Sequence, residues 1–254
     1  MPESSQPTSW NKIGKWYDDI VGDQGHYYHQ NVIIPGLLKL LNFQDGSSFL
    51  DLACGQGILS RHLPPHVKYM GVDIASDLIQ AARRYNKNPN CEFMIGDVTK
   101  HIPLTKKDFT HGSIILALQN IEDPLAVLKN ASKHLVSGAR LVIVLNHPCF
   151  RIHRQSSWKI DESNKTQYRR IDRYMSSMKI PIQTHPGQGK QSPNSWTFHL
   201  PLSSYCRLLK ESGFTIQVID EWCSPKTSDG KAAKMENRSR EEFPLFMTIV
   251  AVKL

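Results

Sequence analysis

The stretch Phe49-Leu-Asp-Leu-Ala-Cys-Gly-Gln-Gly57 decides how the rest of the chain is read. An apolar run ends in an acid, Asp51, and then breaks into a turn carrying Gly55 and Gly57. Beyond it, Ile58-Leu-Ser-Arg-His-Leu63 reads as the start of a helix. Strand, glycine turn and helix form the first unit of a doubly wound sheet, with backbone N–H groups and a carboxylate at the carboxyl edge of the strand. Glycines there accept positive φ and let a ligand approach the backbone with no Cβ in the way. A dinucleotide loop wants G-x-G-x-x-G/A, so that the helix can start against a pyrophosphate. Here the third position is Ser60, and the acid precedes the glycines. Asp51 repels a pyrophosphate and attracts a ligand with cationic centres.

The segments that follow repeat the pattern. Val67-Lys-Tyr-Met-Gly-Val-Asp73 is a short apolar run ending in an acid, placed where a carboxylate can hydrogen-bond ribose hydroxyls. Cys91-Glu-Phe-Met-Ile-Gly-Asp97-Val98 reads as a third strand, and Ser113-Ile-Ile-Leu-Ala-Leu118 as a buried fourth strand followed by Gln119 and Asn120. Leu141-Val-Ile-Val-Leu145 is apolar throughout, as a parallel strand covered on both faces should be. Helices are expected near 57–63, 76–86 and 123–136, with Asp123-Pro124 as a start and Ser137-Gly138 as a stop. Farther on, Pro201 to Ser212 reads as a helix stopped by Gly213, and Phe214 to Asp220 as a strand. A polar loop over about 223–243 precedes a last apolar strand, Leu245 to Val252. Singly, Asp51, Asp73 and Asp97 are also what strand ends and helix caps use. Three acids on three successive strand ends, together with the glycines, point to a nucleotide-like ligand.

The pattern D-x-x-x-G-x-G of Asp51, Gly55 and Gly57 resembles the S-adenosylmethionine loop of class I methyltransferases. The segment FHLPLSSYCRLLKESGF, from Phe198 to Phe214, is similar to the closing helix of small-molecule methyltransferases of the ubiquinone/menaquinone type. The resemblance covers about 47–146 and 198–220 and fades in the N-terminal segment and around 150–200. It implies an α/β, Rossmann-like, seven-stranded, mostly parallel sheet of order 3-2-1-4-5-7-6, with a lid inserted after the fifth strand. It implies S-adenosyl-L-methionine as cofactor, held by Asp51, Ala53, Gly55 and Gly57 at the first loop and by Asp73 at the ribose. Ile74 would lie on the adenine, Asp97 and Val98 at its amino edge, and the backbone at Leu116 against the methionine part. In similar methyltransferases an N-terminal aromatic segment covers the cofactor, which makes Tyr17, Tyr28 and His29 candidates. The same aromatics equally suit fastening a helix to the sheet.

At 254 residues and 40% hydrophobic content, the chain suits one large domain with a lid. Residues 1–45 read as a polar tail followed by a helical cover, in which Trp16 to Ile20 and Asn31 to Leu41 have helical apolar spacing and Pro35 favours a bend or a start. Residues 46–254 then form the methyltransferase domain, with the insert at about 150–200. No apolar run approaches the roughly twenty residues of a membrane helix. The N-terminus lacks the blocks of a signal peptide. The cysteines (54, 91, 149, 206 and 223) are five and unpatterned, so free thiols in a reducing cytoplasm are expected and no metal site is suggested. The net charge of +8 is concentrated: residues 151–190 hold nine Lys/Arg against three acids, an excess of six. One segment, not the whole surface, is basic.

Methyl transfer from a sulfonium is an in-line displacement that needs alignment and exclusion of water, and a base only when the acceptor must lose a proton. His147, directly after the fifth strand, is the expected base, and Asn146 an expected donor to an acceptor oxygen, with an exposed turn as the alternative. Asn146-His-Pro-Cys149 keeps only part of an Asn-Pro-Pro-Tyr-type motif, which disfavours an amine flipped from a duplex. His29, Gln119, Arg151, Arg154, Tyr174 and His199 are the expected acceptor contacts. The insert's arginines suit a lid that holds a carboxylate or phosphate on an aromatic acceptor. They could also track a nucleic-acid backbone, but the sequence shows no separate RNA-binding module and its second half follows the small-molecule pattern, so the lid is favoured. The expected function is an S-adenosylmethionine-dependent methyltransferase for a small, anionic or aromatic metabolite; the alternatives are an RNA or protein methyltransferase docking through the insert, and a non-catalytic nucleotide sensor or scaffold.

Overall fold

The computed structural model describes residues 9–105, 107–183 and 194–254, so the polar tail at 1–8 and the Pro186–Pro193 loop lie outside the described residues. Five strands, β1 (Ser48–Leu52), β2 (Lys68–Asp73), β3 (Cys91–Ile95), β4 (Phe109–Ile115) and β5 (Leu135–Asn146), pair in parallel in the order 3-2-1-4-5. β6 (Ser156–Asp161) and β7 (Thr166–Ile171) form a hairpin, and β8 (Met178–Gln183) and β9 (Asn194–His199) another. β10 (Phe214–Trp222) and β11 (Phe246–Lys253) complete the main sheet, β11 running antiparallel to both β5 and β10. Counted within the sheet, the order is the 3-2-1-4-5-7-6 expected from the sequence.

The helices are α1 (Ser9–Val21), α2 (Ile34–Leu40, entered through a π turn at His29–Ile33), α3 (Ser76–Tyr85), α4 (Pro124–His134), α5 (Leu202–Glu211) and α6 (Ala233–Glu242). Side chains alternate between two cores along each central strand. Leu50 and Leu52 of β1 and Leu141, Ile143 and Leu145 of β5 join α4 and α5 on one face, while Phe49, Val142 and Val144 join α2 and α3 on the other. A strand covered on both sides has no polar face, which is why these runs are apolar throughout. Asp123 caps α4 by accepting the Ala126 N–H at 3.0 Å, and Pro124 takes the first helical position.

Several boundaries differ from expectation. The helix expected at 57–63 is only a 3₁₀ turn, Leu59–Arg61, between two glycines at positive φ and the Pro64-Pro65 pair. β4 begins at Phe109 rather than Ser113 and ends before Leu116, whose φ of 51° turns the chain out of the sheet. α4 stops at His134, and Gly138 (φ 80°) lies at an irregularity within β5. Within 150–200 lie two hairpins, and the polar loop expected at 223–243 contains α6. Among the described residues no helix is long and apolar enough to cross a membrane.

Candidate active site

Right-handed crossovers leave a crevice at the carboxyl ends of the parallel strands, where the strand order reverses beside β1 and β4. A cavity of about 520 Å³ lies there. That is within the roughly 300–1,000 Å³ of small-molecule sites. Its wall is built from the ends of β1, β2, β3 and β4, from α1, and from β9.

Asp51 is 2% exposed. It accepts hydrogen bonds from the Tyr69 hydroxyl at 2.7 Å and the Ser113 hydroxyl at 2.6 Å, both donors standing on the neighbouring strands β2 and β4. Burial raises its titration to about 6 against the pull of those two bonds. Asp73, at the end of β2, draws the Gly55 N–H to 2.8 Å and the Ala75 N–H to 2.9 Å and thereby shapes the glycine loop. Burial raises its titration as well. Asp97 accepts from the Thr99 N–H at 2.9 Å and the Thr99 hydroxyl at 2.7 Å. The Tyr17 ring lies over Gly55, 3.8 Å from where a Cβ would project, and burial followed by the Asp73 charge pushes its phenol to about 12. Ala53 (φ 58°) and Leu116 (φ 51°) hold the left-handed conformation on adjacent strand ends, both in the cavity wall. Each such non-glycine residue costs about 1–3 kcal/mol and is characteristic of binding sites.

Of the cofactor contacts expected from the sequence, Asp51, Ala53, Gly55, Asp73, Ile74, Asp97, Val98, Leu116 and Tyr17 line this cavity. Gly57 and Tyr28 do not. A Cβ on Gly57 would sit 2.6 Å from the Phe93 ring, so that glycine serves packing. Tyr28 lies edge-on to Phe246, under Lys226, with its hydroxyl 3.4 Å from Ser224.

The acceptor-side residues divide. His29 lines the cavity, and burial with the nearby His26 and Arg61 lowers its titration to about 4. Its Nδ1 is the one buried side-chain atom in that wall with no hydrogen-bond partner among the described residues. Gln119, Asn146, Arg151 and His199 line a separate pocket of about 30 Å³. Tyr174 packs behind it, its hydroxyl accepting the Leu202 N–H at 3.0 Å and its carbonyl 2.7 Å from His199 Nε2. Arg154, with φ 60°, lines neither. His147 is 2% exposed and also lines neither. Its Nδ1 accepts the Cys149 N–H at 3.1 Å, which leaves Nε2 to carry the proton and donate to Glu221 at 2.6 Å. That pair ties the end of β5 to β10, and burial lowers the histidine's titration.

Sequence reasoning missed Trp10, Ile121, Glu122 and Phe198 in the wall. The alternation Trp196-Thr197-Phe198 was the available signal. Residues two apart on a strand share a face, and here both aromatics reach the cavity while the Thr197 hydroxyl turns away to donate to the Gln119 carbonyl at 3.1 Å.

The residues present fit an adenosyl sulfonium donor. Carboxylates line the crevice, the Gly55 backbone borders it with no Cβ and only Tyr17 in van der Waals reach, and His29, whose Nδ1 is buried without a partner among the described residues, belongs to the same wall. Comparison with known proteins bears on the same point. Residues 50–143 match the family described as methyltransferase domain. A demethylmenaquinone methyltransferase of Lactococcus lactis is 32% identical over 127 residues, spanning 47% of this chain and 50% of that protein. The chain thus covers about half that relative's length. A 2-phytyl-1,4-naphtoquinone methyltransferase of Thermosynechococcus vestitus is 27% identical over 216 residues, 81% of this chain and 88% of that one. In fold, the chain is similar to the crystal structure of an S-adenosylmethionine-dependent methyltransferase of Mesorhizobium loti, with a TM-score of 0.67 and 22% identity over 86% of this chain and 96% of the other. The matched domain, its relatives and the sheet order agree: residues 50–143 match a methyltransferase domain, and the chain is similar in sequence and fold to S-adenosylmethionine-dependent methyltransferases.

Proposed function

We propose that the chain transfers a methyl group from S-adenosylmethionine to a small aromatic acceptor that is uncharged at its reacting end. The observation that carries this reading is the division of the cavity wall. Asp51, Asp73, Asp97 and Glu122 line it, and no lysine or arginine does among the described residues. Such a wall favours a cation and repels an anion brought close to it. Elsewhere the wall is apolar and aromatic, with Trp10, Ile115, Ile121, Trp196 and Phe198. A flat ring stacks well there. The Lactococcus and Thermosynechococcus relatives are named for quinone-type compounds, which agrees with a ring of that class.

When bound, the cofactor supplies a methyl group already activated on a sulfonium. The chain's share is placement and shielding. Each Asp73 oxygen already accepts one backbone N–H and keeps a lone pair for a ribose hydroxyl. Ile74 and Val98 would sandwich the adenine, with Asp97 at its edge, and ionised Asp51 would offset the positive sulfur. Residues 9–45 and the described part of the insert serve as cover and lid: α1 packs against α3 and β9, so Tyr17 and Trp196 close the crevice together. A phenolic acceptor must lose a proton, and His29, unprotonated at pH 7, is the cavity-wall imidazole available to take it. His147 on this reading is a structural tie.

The insert's arginines also support a small acceptor. Arg169 donates to the Phe150 carbonyl at 2.7 Å and the Ser156 hydroxyl at 2.8 Å, with its guanidinium 5.1 Å from the Trp158 ring centre. Arg170 is paired with Asp172, and Lys179 with Glu122. These cations hold the hairpins and neighbouring loops together, which leaves fewer to follow a nucleic-acid backbone. The test is to incubate the protein with methyl-labelled cofactor and a cell extract, then separate small molecules from RNA and protein. Label is expected in a small, ring-containing product. Label confined to RNA or protein would overturn the proposal.

A further inference from the structure

The smaller pocket, about 30 Å³, lies between the end of β5, the turn after β4 and the β8–β9 hairpin. It adjoins the large cavity: Phe198 lines both, and Gln119 in its wall is followed by Asn120 in the other. The two differ in charge. The large cavity has four carboxylates, whereas the small pocket has the cation Arg151, two histidines that burial holds toward the neutral form, His153 and His199, and no carboxylate among the described residues. Arg151 is exposed and lines the pocket wall, and it makes no ion pair with a described residue. Gln119 is 7% exposed, its Nε2 donates to the Leu116 carbonyl at 2.9 Å, and its Oε1 is buried with no partner among the described residues. A buried acceptor left unpaired is costly, and native structures seldom leave one without a ligand or water to fill it. A space of this size holds one or two waters or one carboxylate-sized group.

Resting on the methyl-transfer reading of the large cavity, we propose that this pocket is a subsite for a carboxylate borne by the aromatic acceptor, with Arg151 as its counter-ion and Gln119 Oε1 taking an adjacent hydroxyl. The acceptor is then neutral where the methyl group arrives and anionic on the far side of Phe198. The opposed charges of the two spaces would fix which end of the ring faces the sulfonium.

The probes are 3-hydroxy-2-naphthoate and 2-naphthol, titrated calorimetrically into wild type, Arg151→Gln and Arg154→Gln, with and without S-adenosylhomocysteine. Wild type should bind the naphthoate more tightly than the naphthol. Arg151→Gln should lose about ten- to hundredfold of naphthoate affinity, as befits a charge-assisted contact, and leave naphthol unchanged. Arg154→Gln, on the same segment but outside both pockets, should behave as wild type. No preference in wild type, or equal losses in the two variants, would overturn the subsite. Failure of S-adenosylhomocysteine to bind, with Arg151-dependent naphthoate binding retained, would instead remove the methyl-transfer reading and keep the carboxylate site.

Discussion

Asp51→Asn separates what the fold needs from what the site needs. Asp51 is buried, and its titration rises from 3.8 to about 6, two units of preference for the neutral acid. At 1.36 kcal/mol per unit, keeping it ionised costs the native state roughly 3 kcal/mol. A carboxyl whose native titration is raised gives its full share of stability below the unfolded value near 4 and loses it as pH climbs through 6. Asparagine carries no such charge. The stability of Asp51→Asn minus that of wild type should therefore grow by about 2–3 kcal/mol between pH 4 and pH 8. Urea unfolding at the two pH values measures it, and the other titrating groups cancel in the difference. The same variant should weaken S-adenosylmethionine more than S-adenosylhomocysteine, because only the former carries a positive sulfur. A stability difference that does not change with pH, or equal loss for the two ligands, would refute the reasoning.

Glycines 55 and 57 should part company. Both hold positive φ, but a Cβ at Gly55 meets only Tyr17 at 3.8 Å, whereas one at Gly57 enters the Phe93 ring. By thermal unfolding Gly55→Ala should cost about 1–2 kcal/mol and Gly57→Ala distinctly more, while calorimetry should show Gly55→Val abolishing cofactor binding. His147→Gln should lower stability by about 1–2 kcal/mol through loss of the Glu221 bond and leave the pH profile of turnover unmoved; a lost acidic limb would restore the histidine as the base. His29→Phe should leave the fold intact, with a melting temperature at or above wild type, and reduce turnover on a phenolic acceptor at least tenfold, read by methyl-transfer rate; full activity would exclude His29 from proton transfer.

The sheet was legible in the sequence because burial on two faces leaves a simple trace: Leu141 to Leu145 and Phe49 to Leu52 are apolar at almost every position, and each run ends in a turn. The loop was legible for a related reason, since only an acid and small residues suit the ends of β1, β2 and β3. What failed has physical causes. The expected helix after Gly57 is one 3₁₀ turn, because Gly57 must press against Phe93 and Pro64 ends the segment early. The first hairpin of the insert is half-exposed on both faces, so β6 and β7 carry no period-two hydrophobic signal. α6 buries only Ser239, and a helix without an apolar stripe reads as polar loop. His147 sits at the ligand-binding edge in sequence, yet its side chain is claimed by Glu221, a partner 74 residues away that no local pattern announces.

Titration of S-adenosylhomocysteine into the purified protein tests the central claim most directly. One site per chain with a micromolar or tighter Kd, lost in Gly55→Val, is the predicted result. No binding heat at millimolar ligand, or binding that Gly55→Val leaves untouched, would contradict the placement of the donor in the crevice between β1 and β4.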